Sequence, residues 1–223
     1  MTATEIRKHM QDTIVKQARV KYAEVASKEI IYECGFDTTI TTIIANVNHY
    51  IKTYNKTPIV IVDYLQIVRP SDSRMNTKDA VDNNIRALKM LQKNNDLVVL
   101  VISSLNRQNY LTPVDFESFK ETGGIEFTAD VIWGLQLSIM NDESIFGKES
   151  GLKKKRDAVR EAKKASPRKV DLVCLKNRYG ISSYTCSFDY YAQYDYFVPI
   201  TNVFGNLPSG GIDLSKFNIP KGF

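Results

Sequence analysis

Residues 59–68 read Ile-Val-Ile-Val-Asp-Tyr-Leu-Gln-Ile-Val. Four β-branched apolar residues in a row, closed by Asp63, predict a strand buried on both faces, as in a parallel sheet. A second apolar run spans Leu97 to Ile102 and ends in Ser103-Ser104. Between the two runs, Val81, Ile85, Leu88 and Leu91 recur at helical spacing, so an amphipathic helix connects the strands. Ahead of the first strand, Ile40, Ile43, Ile44, Val47, Ile51 and Tyr54 mark another helical face, with Asp37, Thr38 and Thr39 as candidate caps. Strands alternating with helices predict an α/β fold with a largely parallel sheet flanked by helices. Such sheets bind ligands at the carboxyl ends of their strands. The residues just after each apolar run are therefore the candidates for chemistry.

The rest of the chain fits around this unit. Residues 3–28 read as one helix with Ile6, Ile14 and Val20 among many charges, and a short strand is expected at residues 30–32. Asp130 to Leu137 is a third apolar run, and Lys169 to Leu175 is a fourth strand candidate. Ser183 to Phe188 and Tyr194 to Pro199 are expected to form a C-terminal β-hairpin. From Asn206 onward the chain is rich in Gly, Pro and Ser, the composition of a loosely held end. We read residues 1–200 as one domain and residues 201–223 as a tail.

The 223 residues are enough for one substantial core. A hydrophobic share of 43% and a charged share of 25% place the chain among ordinary globular proteins. No apolar run is long enough to span a bilayer, so no membrane partner is expected. The first residues lack the apolar core of a signal peptide, which points to the cytoplasm. Cys34, Cys174 and Cys186 have no metal-ligand spacing, and only His9 and His49 could join them, which speaks against a Cys/His metal site. The net charge is +5, and its distribution matters more than its size. Leu152 to Lys169 holds nine basic residues against Asp157 and Glu161, a local +7, so the remainder carries −2. A solvated loop and a phosphate-contacting loop are equally good readings of that stretch.

Four pieces could carry chemistry. Asp63, closing the first strand, stands where nucleoside triphosphatases place a carboxylate near phosphate-bound magnesium. Taken alone it is better read as a turn or helix-cap residue. Ser103-Ser104-Leu105-Asn106-Arg107 closes the next strand with groups able to hydrogen-bond a terminal phosphate, or simply to leave the sheet. Lys176-Asn177-Arg178-Tyr179-Gly180 puts two cations at alternate positions, hence on one face of a strand. The pair suits an anionic partner such as a phosphate; the bland alternative is two exposed cations at a hairpin edge. Glu121-Thr122-Gly123-Gly124-Ile125-Glu126 is expected to be a loop. Its glycines allow close backbone approach, and its amides could meet DNA phosphates.

These pieces, in this order, resemble the ATPase domain of hexameric DnaB-type replicative DNA helicases. IVIVDYLQIV looks like that family's Walker B segment. VVLVISSLNR resembles the next segment, where relatives usually read Ser-Gln-Leu-Asn-Arg. ESFKETGGIEFTADVI is similar to the family's stretch Asp-Leu-Arg-Glu-Ser-Gly-Ala-Ile-Glu-Gln-Asp-Ala-Asp, and VCLKNRYGISSYTCSF to its segment bearing a Lys-x-Arg pair. The resemblance spans residues 57–199. It implies a RecA-like P-loop NTPase core that binds ATP and Mg2+, moves on single-stranded DNA, and assembles as a homo-oligomeric, hexameric ring with a helicase loader or primase as possible partners. Asp63 would help hold magnesium, and Ser104 would stand where relatives carry a glutamine proposed to sense the γ-phosphate. Lys176 and Arg178 would reach into the adjacent subunit's ATP site, with Arg178 as the arginine finger. Lys120, Glu121 and Gly123 would belong to the loop that follows DNA, largely through backbone amides.

The sequence also departs from the family. No G-x-x-x-x-G-K-[ST] occurs in these residues, and neither does the family's catalytic glutamate in a Ser-Leu-Glu-Met segment. Met1-Thr-Ala-Thr-Glu-Ile resembles what normally follows that glutamate, so the first, P-loop strand is expected to be missing. The edges it leaves would be apolar. Serine at 104 is shorter than glutamine and donates a single hydrogen bond. Lys120 for arginine and Thr128 for aspartate are milder changes. Two other readings stay open: a non-catalytic, degenerate RecA-like module that binds DNA or a helicase ring, and a different RecA-like ATPase such as a recombinase relative.

Overall fold

The computed structural model describes residues 3–27, 37–70, 72, 74–119, 123–147 and 149–200. The strand expected at residues 30–32, Cys34, and the tail at 201–223 lie outside the described residues. Among the described residues, no helix is long and apolar enough to cross a membrane.

The core forms where the apolar spacing places it. Helix α3 (Ile40–Tyr54) starts at Thr39, whose hydroxyl accepts from the Thr42 amide at 3.3 Å, and stops at Asn55, which turns left-handed at φ 50°. Helix α4 (Thr77–Asn95) starts at Asn76, whose side-chain oxygen accepts from the Asp79 amide at 2.9 Å. It stops at Asp96, also left-handed, at φ 48°. Such caps satisfy backbone groups that the helix ends would otherwise leave without partners. Strand β1 (Ile59–Val62) pairs in parallel with β2 (Val98–Val101), from Ile59 opposite Val98 to Val62 opposite Val101. Ile40 and Val47 of α3 and Val81, Ile85, Leu88 and Leu91 of α4 close over Val60, Val62 and Leu65. The periodicity of the sequence predicts each of these helical positions.

Burial of β1 on both faces, however, is not what the structure shows. Val60 and Val62 are 9% and 6% exposed, whereas Ile59 and Ile61 are 70% and 63% exposed. Side chains alternate along a strand, and α3 and α4 cover one face only. Val98 and Leu100 of β2 are exposed in the same alternating way.

The second half is an antiparallel sheet in the order β3 (Val131–Leu137), β4 (Arg168–Asn177), β5 (Thr185–Tyr191), β6 (Tyr196–Pro199). The expected C-terminal hairpin is its β5–β6 edge. The antiparallel region extends further back than that hairpin, because β3 and β4 pair from Val131 opposite Asn177 to Leu137 opposite Val170. Inside this sheet Asp171 is buried, and its carboxylate accepts from Ser138 Oγ, Asn141 Nδ2 and Ser187 Oγ, each at 2.7 Å. Three donors make burial of that polar group tolerable. Gly134 of β3 lies directly under Val114, where a Cβ would come within 2.5 Å of a valine methyl. Val114 therefore packs directly on β3, where its amide also donates to Gln136 Oε1 at 2.7 Å.

Three local expectations are corrected. In place of the one helix expected over 3–28, the described residues 3–27 form two, α1 (Ala3–Lys8) and α2 (Thr13–Ala26). A turn intervenes, in which the Asp12 amide donates to the His9 carbonyl at 3.0 Å. Among the described side chains of α1 and α2 only Val15 is buried, so little packing holds them in one line. Residues 121–126 are not all loop: Gly123 opens helix α5 (Gly123–Thr128). Gly124 lets α5 approach α4, since a Cβ there would sit 2.3 Å from Asp82 Oδ1. Finally, the basic stretch is not a loop. It follows the one-turn helix α6 (Glu143–Phe146) as helix α7 (Leu152–Lys164) and runs into β4 at Arg168.

The one-sided burial of β1 makes a direct test. Leu88→Ala, in the core, is expected to destabilise by about 2–5 kcal/mol in urea unfolding. Ile61→Thr, on the open face, is expected to stay within about 0.5 kcal/mol of the parent. Equal losses at the two positions would show that both faces of β1 are covered.

Candidate functional site

The carboxyl ends of β1 and β2 are laced together. The Ile102 amide donates to the Val62 carbonyl at 2.9 Å, and the Leu65 amide donates to the Ile102 carbonyl at 2.9 Å. Gln66, in the short turn after β1, then bridges the two strand ends. Its Nε2 donates to Ser103 Oγ at 2.8 Å, and its Oε1 accepts from the Ser104 amide at 3.1 Å. One amide side chain thus fixes Ser103 and Ser104 relative to the turn that follows Asp63. Asp63 itself is exposed and makes no ion pair among the described residues. Sequence reasoning does not single out Gln66. Its signal is nevertheless present: a lone amide inside an apolar run, three residues after the strand-closing acid.

One carboxylate can serve magnesium only if a nucleotide supplies most of the coordination. Among the described residues, no group of three or more His, Cys, Asp or Glu side chains could hold a metal by itself. Magnesium commonly takes one or two protein carboxylates and completes its shell with phosphate oxygens and water. Asp63 fits that role and does not fit a metal cage built by the protein alone.

Lys176 and Arg178 turn toward one junction, where α5 meets β3. Lys176 Nζ donates to the Glu126 carbonyl at 2.5 Å. Arg178 donates from its backbone amide to the Asp130 carbonyl at 2.9 Å, from Nη1 to Asp130 Oδ1 at 2.9 Å, and from Nη2 to the Phe127 carbonyl at 3.3 Å. The second oxygen of Asp130 accepts from Lys89 Nζ of α4 at 2.6 Å. Neither cation is bonded to Asp63 among the described residues. Of the predicted DNA-contacting positions, Gly123 opens α5, while Lys120 and Glu121 lie outside the described residues.

Asp130 and Lys89 are the residues that sequence reasoning misses at this junction. In the sequence Asp130 reads only as the start of an apolar run, and Lys89 only as part of the polar face of its helix. Their meeting is long-range and has no local signature. The Lys89 ammonium, hydrogen-bonded to Asp130, holds the carboxyl below the usual aspartate range. The nearby charges of Arg178 and Lys176 act in the same direction, while partial burial opposes them. The side chains of Lys89 and Asp130 are 21% and 25% exposed, so the link is better shielded than an open surface pair.

A carboxyl with a depressed pKa stabilises the fold fully above its unfolded value of about 3.9 and loses that contribution as pH falls through the lower, folded value. Asp130→Asn is therefore expected to cost about 1 kcal/mol near neutral pH, because the partly buried Lys89 and the exposed Arg178 lose their counter-charge. In urea unfolding across a pH series, the gap between parent and variant should hold from pH 7 to about 4 and close only below that range. A gap that shrinks already near pH 6 would rule out Asp130 as its source.

With the geometry in view, comparison with known proteins places the chain. The family described as DnaB-like helicase C terminal domain matches residues 1–198. No curated protein matches the chain. One similar solved structure is reported as a DnaB-like replicative helicase and its interactions with primase, at a TM-score of 0.64 and 23% identity. Another is reported as an ATPase domain, at a TM-score of 0.65 and 23% identity. Each likeness covers 89% of this chain, and the chain spans 45% of the first structure and 65% of the second. At that identity the two structures speak for the fold alone, which is RecA-like. The family match extends over almost every residue described above, and on that ground the chain belongs to the DnaB-like helicase C-terminal domain family.

Proposed function

We propose that this chain forms part of an ATP-dependent, ring-forming DNA helicase of the cytoplasm that translocates on single-stranded DNA and unwinds duplex during replication. The observation that carries the reading is the carboxyl end of the β1–β2 pair, where Gln66 bridges Ser103 and Ser104 and the exposed Asp63 directly follows β1. In nucleoside triphosphatases of this type an acid at that place serves phosphate-bound magnesium. Asp63 would hold the ion on the nucleotide. Ser104 would meet the terminal phosphate. A polypeptide segment outside these residues would supply the phosphate cradle and the catalytic glutamate. Bound ATP and magnesium supply the hydrolysis that drives movement.

Lys176 and Arg178 would act on the nucleotide of an adjacent subunit in a homo-oligomeric, hexameric ring. To do so Arg178 must leave Asp130. Lys89 remains on the other carboxylate oxygen, so that release does not strand an uncompensated charge. Lys120, Glu121 and Gly123 would track DNA by its phosphates, with little base preference. A loader or a primase would be a partner, in keeping with the similar helicase whose structure reports interactions with primase.

A second reading draws on one observation. Both cations are held by Glu126, Phe127 and Asp130 of their own chain. A non-catalytic module that binds DNA or caps a helicase ring would keep them there.

Magnesium-dependent ATP hydrolysis separates the two, measured with and without single-stranded DNA. The chain alone is expected to be inactive. The chain extended upstream by an encoded phosphate-loop segment is expected to hydrolyse ATP, and Arg178→Ala in it is expected to lower the rate by about 10³-fold or more. An extended chain that is folded but inactive would favour the non-catalytic module.

A further inference from the structure

Helix α7 reads LKKKRDAVREAKK and has no buried residue. It holds seven cations and two carboxylates, a net +5 that equals the charge of the whole chain. At about 100° per residue, Lys153, Arg156, Arg160, Lys163 and Lys164 fall within an arc of about 100° and extend along about 16 Å of axis. All five are exposed. Lys155, Ala158, Val159 and Ala162 lie on the opposite side and are partly buried. The cations thus form an outward stripe, and the small apolar residues form the seat. Of the stripe, Arg160 pairs with Asp157, and Lys164 pairs with Glu161 at 2.8 Å. Lys153, Arg156 and Lys163 have no acidic partner among the described residues.

This arrangement works against the helix itself. Its first turn contains no acid and carries lysines directly after Leu152, although the amino end of a helix favours negative charge. Gly151, at its start, provides no side-chain cap. Like charges three and four residues apart along the stripe repel, by about 0.2–0.5 kcal/mol per pair. Lys163 and Lys164 lie in the last turn, where cations are favoured, but the stability of the helix does not explain Lys153 and Arg156 on the same stripe, whereas a polyanion laid along it would remove the repulsion.

We propose that the outer face of α7 binds the phosphate backbone of a nucleic acid strand. The seat residues argue against a membrane, since a helix lying on lipid needs a free apolar face, and Ala158, Val159 and Ala162 are turned toward the protein. The site is separate from the one discussed above. α7 leads into β4 at the end where Val170 faces Leu137, whereas Asp130, Lys176 and Arg178 gather at the end where Asn177 faces Val131. Seven residues of strand, about 20 Å, lie between. The proposal goes beyond the helicase reading and needs no nucleotide.

The test is fluorescence anisotropy of a labelled oligo(dT) strand, without ATP, over a salt series. Lys153→Gln/Arg156→Gln/Lys163→Gln is expected to weaken binding by about tenfold or more at low salt. It should also reduce the slope of log affinity against log salt by about 2, at roughly 0.7 for each phosphate no longer neutralised. Lys153→Arg/Lys163→Arg keeps the charge and should bind as the parent does. Lys16→Gln/Lys21→Gln/Lys52→Gln removes the same charge elsewhere and should leave most of the affinity intact. An unchanged salt slope in the α7 variant, or an equal loss in the charge-matched control, would overturn the proposal. So would selective retention by anionic lipid vesicles or by a polyglutamate chain in place of the oligonucleotide. Because no step uses ATP, failure here leaves the hydrolysis assay untouched, and failure there leaves this binding intact.

Discussion

Burial of one face of the β1–β2 pair by α3 and α4 is the constraint on which the remaining geometry rests. Val60, Val62, Leu65, Leu88 and Leu91 lose water on that face, and the hydrophobic gain fixes both helices on the same side. Once β1 and β2 are locked in parallel register, their carboxyl ends must lie together. Gln66, Ser103 and Ser104 then meet at the strand end that Asp63 closes, because the strands end at the same level, and the Gln66 amide secures the arrangement. The chemistry-bearing groups are thus placed by apolar packing several residues away.

The junction around Asp130 ties the second half of the chain to this core. Lys89 comes from α4, Arg178 from the end of β4, and Asp130 stands immediately before β3. The energetic worth of such a shielded but not fully buried link is modest. Its geometric effect is larger, because it sets where Arg178 points. Under the proposed ring reading, Arg178 would have two opposed needs: order within its own subunit, and release toward the next. A carboxylate with two cationic partners reconciles them, since one partner can leave while the other stays.

Much of the parallel unit is legible in the sequence. β-branched runs identify β1 and β2, and a 3.6-residue period picks out the buried positions of α3 and α4, because local spacing and burial are linked directly. The strand-end residues follow from the general rule that parallel sheets bind at their carboxyl ends. The reading fails where context beyond the local pattern decides. Ile59 and Ile61 are chemically suited to burial, yet lie open because the described helices occupy the other face. The glycines at 123 and 124 look like a turn, yet open a helix that packs closely on α4. The lysines of α7 look like a solvated loop, but lysine and arginine are good helix formers, and Val159 with its neighbouring alanines gives the helix a seat.

By itself the sequence determined the element types of the parallel unit, its core-facing stripes, the family resemblance and the identity of the strand-end groups, because each is encoded within a few neighbouring residues. Only the tertiary structure decided which partners those groups take. It joined Gln66 to Ser103 across 37 residues and Lys89 to Asp130 across 41, and it brought Arg178 onto Asp130 from 48 residues away. Pairings of that span leave no periodic trace in a sequence. They arise when separately specified elements are packed together, and packing against a shared core sets their distances.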